Sequence, residues 1–296
     1  MSPSLTPWVV WSAMIFGLLV GSFLNVVIYR LPRGESIVTP GSRCPDCEQP
    51  IRPWQNVPVL SYLWLRGRCG HCGVGISPRY PAIELLTGIL FAAVAWRWGL
   101  TLETPLLLLL TAGLIAAAAI DFDLRIIPDE ISLGGLVLGL LAVPAVETLG
   151  GGVSYGNAFG HSLGGALLGG GLFWAVGFLH ARLSVATGRT FPHWPGEGES
   201  LPRPRDADYW LWFPGLGLGD VKLLAMIGAF LGPWGVLDTL LASSVLGLAA
   251  GVVIGLIQRH WNSPFGFGPA IAAGAILAIL IPIHPLLFGA PPSALG

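Results

Sequence analysis

The stretch Pro105-Leu-Leu-Leu-Leu-Leu-Thr-Ala-Gly-Leu-Ile-Ala-Ala-Ala-Ala-Ile-Asp121-Phe-Asp123 sets the frame for the whole chain. From Pro105 to Ile120 the only strongly polar side chain is Thr111, and the run then stops on Asp121. Such a run reads as a membrane helix with an acid at its end, since a bilayer requires roughly 20 mostly apolar residues. Composition extends this reading to the full length: 53% of the 296 residues are hydrophobic and 10% charged, where an ordinary soluble domain carries about 25% charged residues. The mean hydropathy is +0.72. A water-soluble globule and a disordered chain are both excluded, and a formal charge of −1 leaves no overall field to recruit nucleic acid.

Working outward, further apolar runs lie at Trp8–Ile28 and at about 82–100, 131–149, 161–180, 239–257 and 270–288. The short piece Val221–Leu231 is the weakest candidate, because eleven residues at 1.5 Å each do not cross alone. No Lys or Arg precedes Trp8, so the first run reads as an uncleaved span rather than a signal peptide. Counting the short piece gives eight crossings and places fourteen of the fifteen cationic residues on one side, with Arg97 alone on the other. By the positive-inside rule that side is cytoplasmic and both termini are outside. The expected fold is an all-α polytopic membrane protein of about eight transmembrane helices. Residues 1–29 form the first span, 30–80 a small cytoplasmic zinc-binding loop domain, and 81–296 a membrane core interrupted by a cytoplasmic loop at about 181–215. That second loop, rich in Pro, Gly, Trp and acids, reads as an excursion without its own core.

All four cysteines fall in the first loop, as Cys44-Pro-Asp-Cys47 and Cys69-Gly-His-Cys72. Each C-x-x-C knuckle puts two thiolates on one face of a tight turn, and two knuckles complete a tetrahedron for zinc. A pair of disulfides is the competing reading, which a reduced cytoplasmic compartment disfavours. His71 is expected to be a surface residue, since four thiols already fill the site.

The acids are the other costly feature. Asp121 is the first charge after the Pro105–Ile120 run, and Gly215-Leu-Gly217-Leu-Gly219-Asp220 precedes the short Val221–Leu231 piece. Both lie at cytoplasmic ends of spans, where helix packing can bring them together. Two close carboxylates share a proton, one acting as base toward water and the other as acid toward a carbonyl oxygen or leaving amine. The glycines would let an extended substrate backbone approach. An aspartate that merely caps the sixth span fits the same residues equally well.

The ordered motifs resemble those of the bacterial type IV prepilin peptidases, within the Gly-x-Gly-Asp class of intramembrane aspartic proteases. They comprise Gly21–Pro32, both cysteine knuckles, Asn56–Leu63, Arg66-Gly-Arg68, Ile76–Gly88, Ile120-Asp121 through Pro128-Asp129, Gly217–Gly232, Pro264-Phe-Gly266 and Phe267-Gly-Pro269. The resemblance implies an inner-membrane enzyme that removes the leader of type IV prepilins or type II secretion pseudopilins on the cytoplasmic side. Cleavage would fall after Gly and before a residue that is usually Phe. It also implies N-methylation of the new terminus with S-adenosylmethionine. Lipid and the pilin-like substrates are the implied partners. The catalytic pair carries over to Asp121 and Asp220. Asp123 and Asp129 also match family positions, but Asp123 points about 200° from Asp121 on a helix and Asp129 follows Pro128, where it suits a helix start. No Gly-rich strand-to-helix turn marks a methyl-donor site. Loop 181–215 is longer than the family pattern.

Glu84 could attract a basic leader but is expected rather to cap the second span, and His161, His180 and His260 to sit at span ends as solvated or interfacial residues. Asn25 suits an interhelical hydrogen bond, and most of the twelve Trp fall near interfaces. A proton-coupled transporter with two buried acids and a non-catalytic scaffold built on the zinc loop are the rival classes. The first would have no use for the cysteine loop, and the second none for Asp220.

Overall fold

The computed structural model describes residues 6–188, 202–211, 217–258 and 266–284. Among them are nine α-helices: α1 (Thr6–Arg30), α2 (Leu60–Trp64), α3 (Arg79–Trp98), α4 (Thr104–Leu124), α5 (Asp129–Leu149), α6 (Tyr155–Ala186), α7 (Ala207–Leu211), α8 (Leu218–Gln258) and α9 (Gly268–Leu280). The described residues contain no strand, only two isolated β-bridges in the first loop. The all-helical expectation therefore holds. Arg189, His260, Arg259, Gly215 and Pro264, which the sequence reading uses, lie outside the described residues, as does most of the proline- and glycine-rich part of loop 181–215.

Six helices, α1, α3, α4, α5, α6 and α8, are long and apolar enough to cross a membrane, while α9 has 13 residues. The expected eight is reached only by dividing α8 and adding α9. Inside α8, Gly232 breaks helical geometry at φ 67°, ψ −175°, immediately before Pro233. Contacts within this part of the chain show that the break is a reversal. Gly165, Gly169 and Gly170 of α6 lie against Gly228, Leu224 and Val221 of α8 in antiparallel order. One turn farther along α6, Phe173 stacks on Phe267, whose ring in turn abuts Gly247. Residues 221 and 247 are thus at a similar level, whereas a straight helix would separate them by about 39 Å. The two arms of α8 accordingly coincide with the two separate runs read from the sequence.

The chain divides into two compact units, one comprising the residues up to Pro128 with Ile279–Ile281, the other Asp129–Ala278 with the residues after Ile281. In the first, α1 and α3 pack through glycine: a Cβ on Gly21 would lie 2.7 Å from Glu84 Cα, and one on Gly17 2.8 Å from Phe91 Cβ. In the second, a Cβ on Gly165 would lie 2.1 Å from the Gly228 carbonyl oxygen. Small residues replace apolar bulk at these crossings because, in lipid, close packing rather than water exclusion holds helices together.

Local signals account for the ends. Pro105 opens α4, where its missing N–H costs nothing. The Ser154 hydroxyl accepts from Asn157 N–H at 3.4 Å to start α6. Helix α4 continues past Ile120 to Leu124, so Asp121 and Asp123 belong to its last turn, and Arg125 ends it in the left-handed conformation at φ 56°.

Candidate active-site residues and metal centre

The two knuckles are built alike. Cys44 N–H donates to Gln49 O and Cys69 N–H to Val74 O, while Glu48 and Gly73 N–H return to Cys44 O and Cys69 O. The returning residue is left-handed in both, φ 56° at Glu48 and φ 75° at Gly73. The four Sγ atoms lie within 4.8 Å of one another, with Cys44 and Cys72 Sγ 3.9 Å apart, and all four are free thiols. Four sulfurs at about 2.3 Å from a zinc ion lie about 3.8 Å from each other, so the donor set and spacing fit a tetrahedral metal. Backbone N–H groups of Cys72 and His71, the latter 3.5 Å from the sulfur, lower the Cys69 thiol to about 6. His71 is exposed, as expected.

Around the knuckles, the loop is anchored to the membrane helices at two points. Arg30, the last residue of α1, donates to the carbonyls of Ser36, Pro40 and Gly41. The second anchor was not foreseen. Val59 has φ 61°, ψ −48°, and Leu60 N–H returns to Pro58 O at 2.6 Å, a γ-turn of the rare positive-φ hand that a β-branched residue adopts only under strain. Glu84 Oε2 accepts the Val59 N–H at 2.7 Å, and Ser22 also donates to this carboxylate. Glu84 therefore does not cap its own helix; it clamps a loop residue 25 positions earlier.

Asp121 is 5% exposed, in the last turn of α4. Asp123, two residues on, is exposed and pairs with Arg79 at 2.5 Å, and Arg79 also donates to Ala119 O at 3.1 Å. Asp220 sits in the first turn of α8, half-buried, with its N–H donating to Gly217 O at 3.1 Å. A Cβ on Gly217 would lie 3.8 Å from Asp220 Oδ2, so the glycine backbone passes close beside the carboxylate. Asp129, in the first turn of α5, pairs with Lys222. Asp121 belongs to the first compact unit and Asp220 to the second.

Two other polar clusters, at Asp238 and at Trp174, escaped the sequence reading, and His161, expected at a span end, has a packing role. Asp238, 1% exposed in α8, accepts from Ile283 N–H, His284 N–H and His284 Nδ1 at 3.1, 2.6 and 2.7 Å, and Trp234 stacks on the same imidazole. His161 fills the space that a Gly232 side chain would need. Trp174, Phe178 and Arg182 of α6 hold the segment 202–211: Trp210 stacks on both rings, Arg182 lies 3.6 Å over Tyr209, and Trp174 Nε1 donates to Trp210 O at 2.8 Å. The second loop is thus docked at its described end.

Residues 15–98 match the bacterial peptidase A24 N-terminal domain and residues 108–252 the type IV leader peptidase family. The chain is 36% identical to a prepilin leader peptidase/N-methyltransferase of Stutzerimonas stutzeri, over 90% of this chain and 89% of that protein. It is 38% identical to one of Neisseria gonorrhoeae over 90% and 88%, and 40% identical to one of Myxococcus xanthus over 81% and 61%. No solved structure matches it. With both halves matched by the family's domains and nine-tenths of its length aligned to such relatives, the chain belongs to the type IV leader peptidase family.

Proposed function

We propose that this protein is a multi-pass inner-membrane enzyme that cleaves the leader from prepilins through Asp121 and Asp220, and methylates the new N-terminus. Peptidase and methyltransferase activities follow from the family and from relatives named for both. The aspartyl pair rests on one observation above the rest: each acid sits in the end turn of an apolar helix, Asp121 buried in the last turn of α4 and Asp220 half-buried in the first turn of α8.

In this reading the ionised member of the pair takes a proton from water as the oxygen attacks the carbonyl carbon of the leader's last residue. The protonated member gives its proton to the carbonyl oxygen. Collapse of the tetrahedral species returns a proton to the departing amine and regenerates the pair. The carboxylates face the cytoplasm in an eight-crossing topology, where the loop arginines also lie. Pseudopilins of type II secretion are substrates of the same chemistry.

Cys44, Cys47, Cys69 and Cys72 would hold one zinc ion. A closed four-thiolate site leaves no position for water, so the ion would supply folding energy to a loop with little apolar core, and no chemistry. The methyl donor, S-adenosylmethionine, has no residue assigned to it here: the described residues contain no strand, hence no strand-to-helix turn of the soluble cofactor folds.

The test is processing of a prepilin with a Gly-Phe junction by purified protein in vesicles without an ion gradient. Asp121→Asn and Asp220→Asn should each abolish cleavage, and the double variant should be no worse, because members of one unit are non-additive. Asp123→Asn and Asp129→Asn should keep substantial activity. Undiminished cleavage by Asp220→Asn would refute the mechanism, and a transporter or scaffold would cleave nothing.

A further inference from the structure

The loop between α1 and α3 exposes more apolar surface than a solvated domain of its size should. Leu60, Leu63 and Trp64, all in or starting α2, are 65%, 64% and 80% exposed, and Trp54 and Val57 extend the patch. What covers them is indicated by depth. Val59, the residue before α2, is pinned by its N–H to Glu84 at 2.7 Å. Glu84 is five residues inside α3 from its loop-facing end at Arg79, about 7.5 Å along the axis. It also touches Gly21 of α1, nine residues inside the loop-facing end at Arg30, about 13 Å along that axis. A headgroup layer is only about 5–8 Å thick. With the basic ends of α1 and α3, Arg30 and Arg79, at headgroup level, the start of α2 is tied close to the inner edge of the headgroups.

Charge points to the same occupant. Residues 30–79 carry seven arginines and no lysine, against three acids. Arg52 stacks 5.4 Å from the Trp54 ring centre at the edge of the patch. Apolar and aromatic side chains beside arginines form the pattern of an interfacial segment on anionic lipid.

We propose that the cysteine loop is a monotopic membrane-surface element: Leu60, Leu63 and Trp64 insert among the acyl chains next to the headgroups of the protein's own bilayer. The cysteine cluster is thereby held against the membrane surface. This rests on the membrane-spanning fold alone and is independent of the aspartyl mechanism.

The experiment uses the full chain in phosphatidylethanolamine–phosphatidylglycerol vesicles whose acyl chains carry bromine close to the headgroup. Emission from Trp64 is the difference between wild type and Trp64→Phe. That difference should be lost to brominated lipid and be indifferent to aqueous iodide. Leu63→Asp, with an unchanged elution profile in detergent, should make it iodide-accessible. Quenching by iodide and not by brominated lipid in the wild type would overturn the proposal. Iodide quenching that disappears only when a prepilin with an uncleavable junction is added would overturn it equally, and would make the patch a substrate surface.

Discussion

Replacing Glu84 by Ala removes the acceptor that holds the Val59 N–H at 2.7 Å, and the consequence can be worked through in some detail. Hydrogen bonds to charged groups contribute about 1.5–3 kcal/mol, and the clamped residue carries a positive-φ turn that itself costs about 1–3 kcal/mol. Without the acceptor only the turn's own bonds, such as Leu63 N–H to Val59 O, oppose that strain, so residues 56–64 should open about 10- to 150-fold more often. Amide hydrogen exchange in nanodiscs reads this directly: Val59–Leu63 should lose protection while the amides of α4 do not. Glu84→Gln keeps an acceptor oxygen and should recover much of the protection. Val59→Gly, combined with Glu84→Ala, should recover part of it by removing the steric penalty. Unchanged exchange of Val59–Leu63 in Glu84→Ala would refute the clamp, and equal loss in the Gln and Ala variants would show that the negative charge, and not side-chain volume or an acceptor oxygen alone, is what holds the turn.

Three further outcomes are expected. Cys44→Ser should remove the metal and loosen residues 42–76, measured as zinc per chain and as proteolysis of the loop. Gly165→Ala drives a Cβ to 2.1 Å from the Gly228 carbonyl and should cost at least about 1–3 kcal/mol, read as a lower Tm in detergent, whereas Gly171→Ala, which meets nothing within 4 Å, should not. Trp210→Ala removes two ring stacks, about 1–3 kcal/mol, and should expose 202–211 to proteases without unfolding the helices; shortening 190–201 should be tolerated by comparison.

The parts of the fold visible in the sequence are those where one physical requirement dominates. The Pro105–Ile120 run can be little but a span. Two C-x-x-C knuckles can scarcely be placed apart, and a run too short to cross, Val221–Leu231, has to end somewhere, which it does at Gly232-Pro233. Asp121 and Asp220 stand out as candidates because charge at the edge of an apolar run is expensive. What stayed hidden depends on partners far along the chain. Asp238 is buried against Ile283 and His284, 45 and 46 residues later, and no periodicity announces such a pairing. Glu84 looks like a helix cap until Val59 is seen bent beneath it. The aromatic dock was more accessible: Trp174, Phe178 and Arg182 repeat at intervals of four on α6, a polar-aromatic stripe that asks for a partner.

The family motif brings four aspartates into consideration, and their surroundings divide the labour among them. The Asp123 carboxylate is occupied by Arg79, which also reaches Ala119 O, so this pair ties the start of α3 to the last turn of α4, the turn that carries Asp121. Asp129 is engaged by Lys222, which ties the start of α5 to the first turn of α8, the turn that carries Asp220. Each ion pair thus braces the helix end that presents a proposed catalytic acid. Both pairs are partly solvent-exposed, and exposed pairs contribute about 0–1 kcal/mol to stability, so their worth lies in position. Complete removal of a brace would act on the placement of the reacting carboxyl while scarcely changing folding. Asn at either position keeps an acceptor oxygen for Arg79 or Lys222, so activity is largely kept, and a matching motif alone does not identify a catalytic residue.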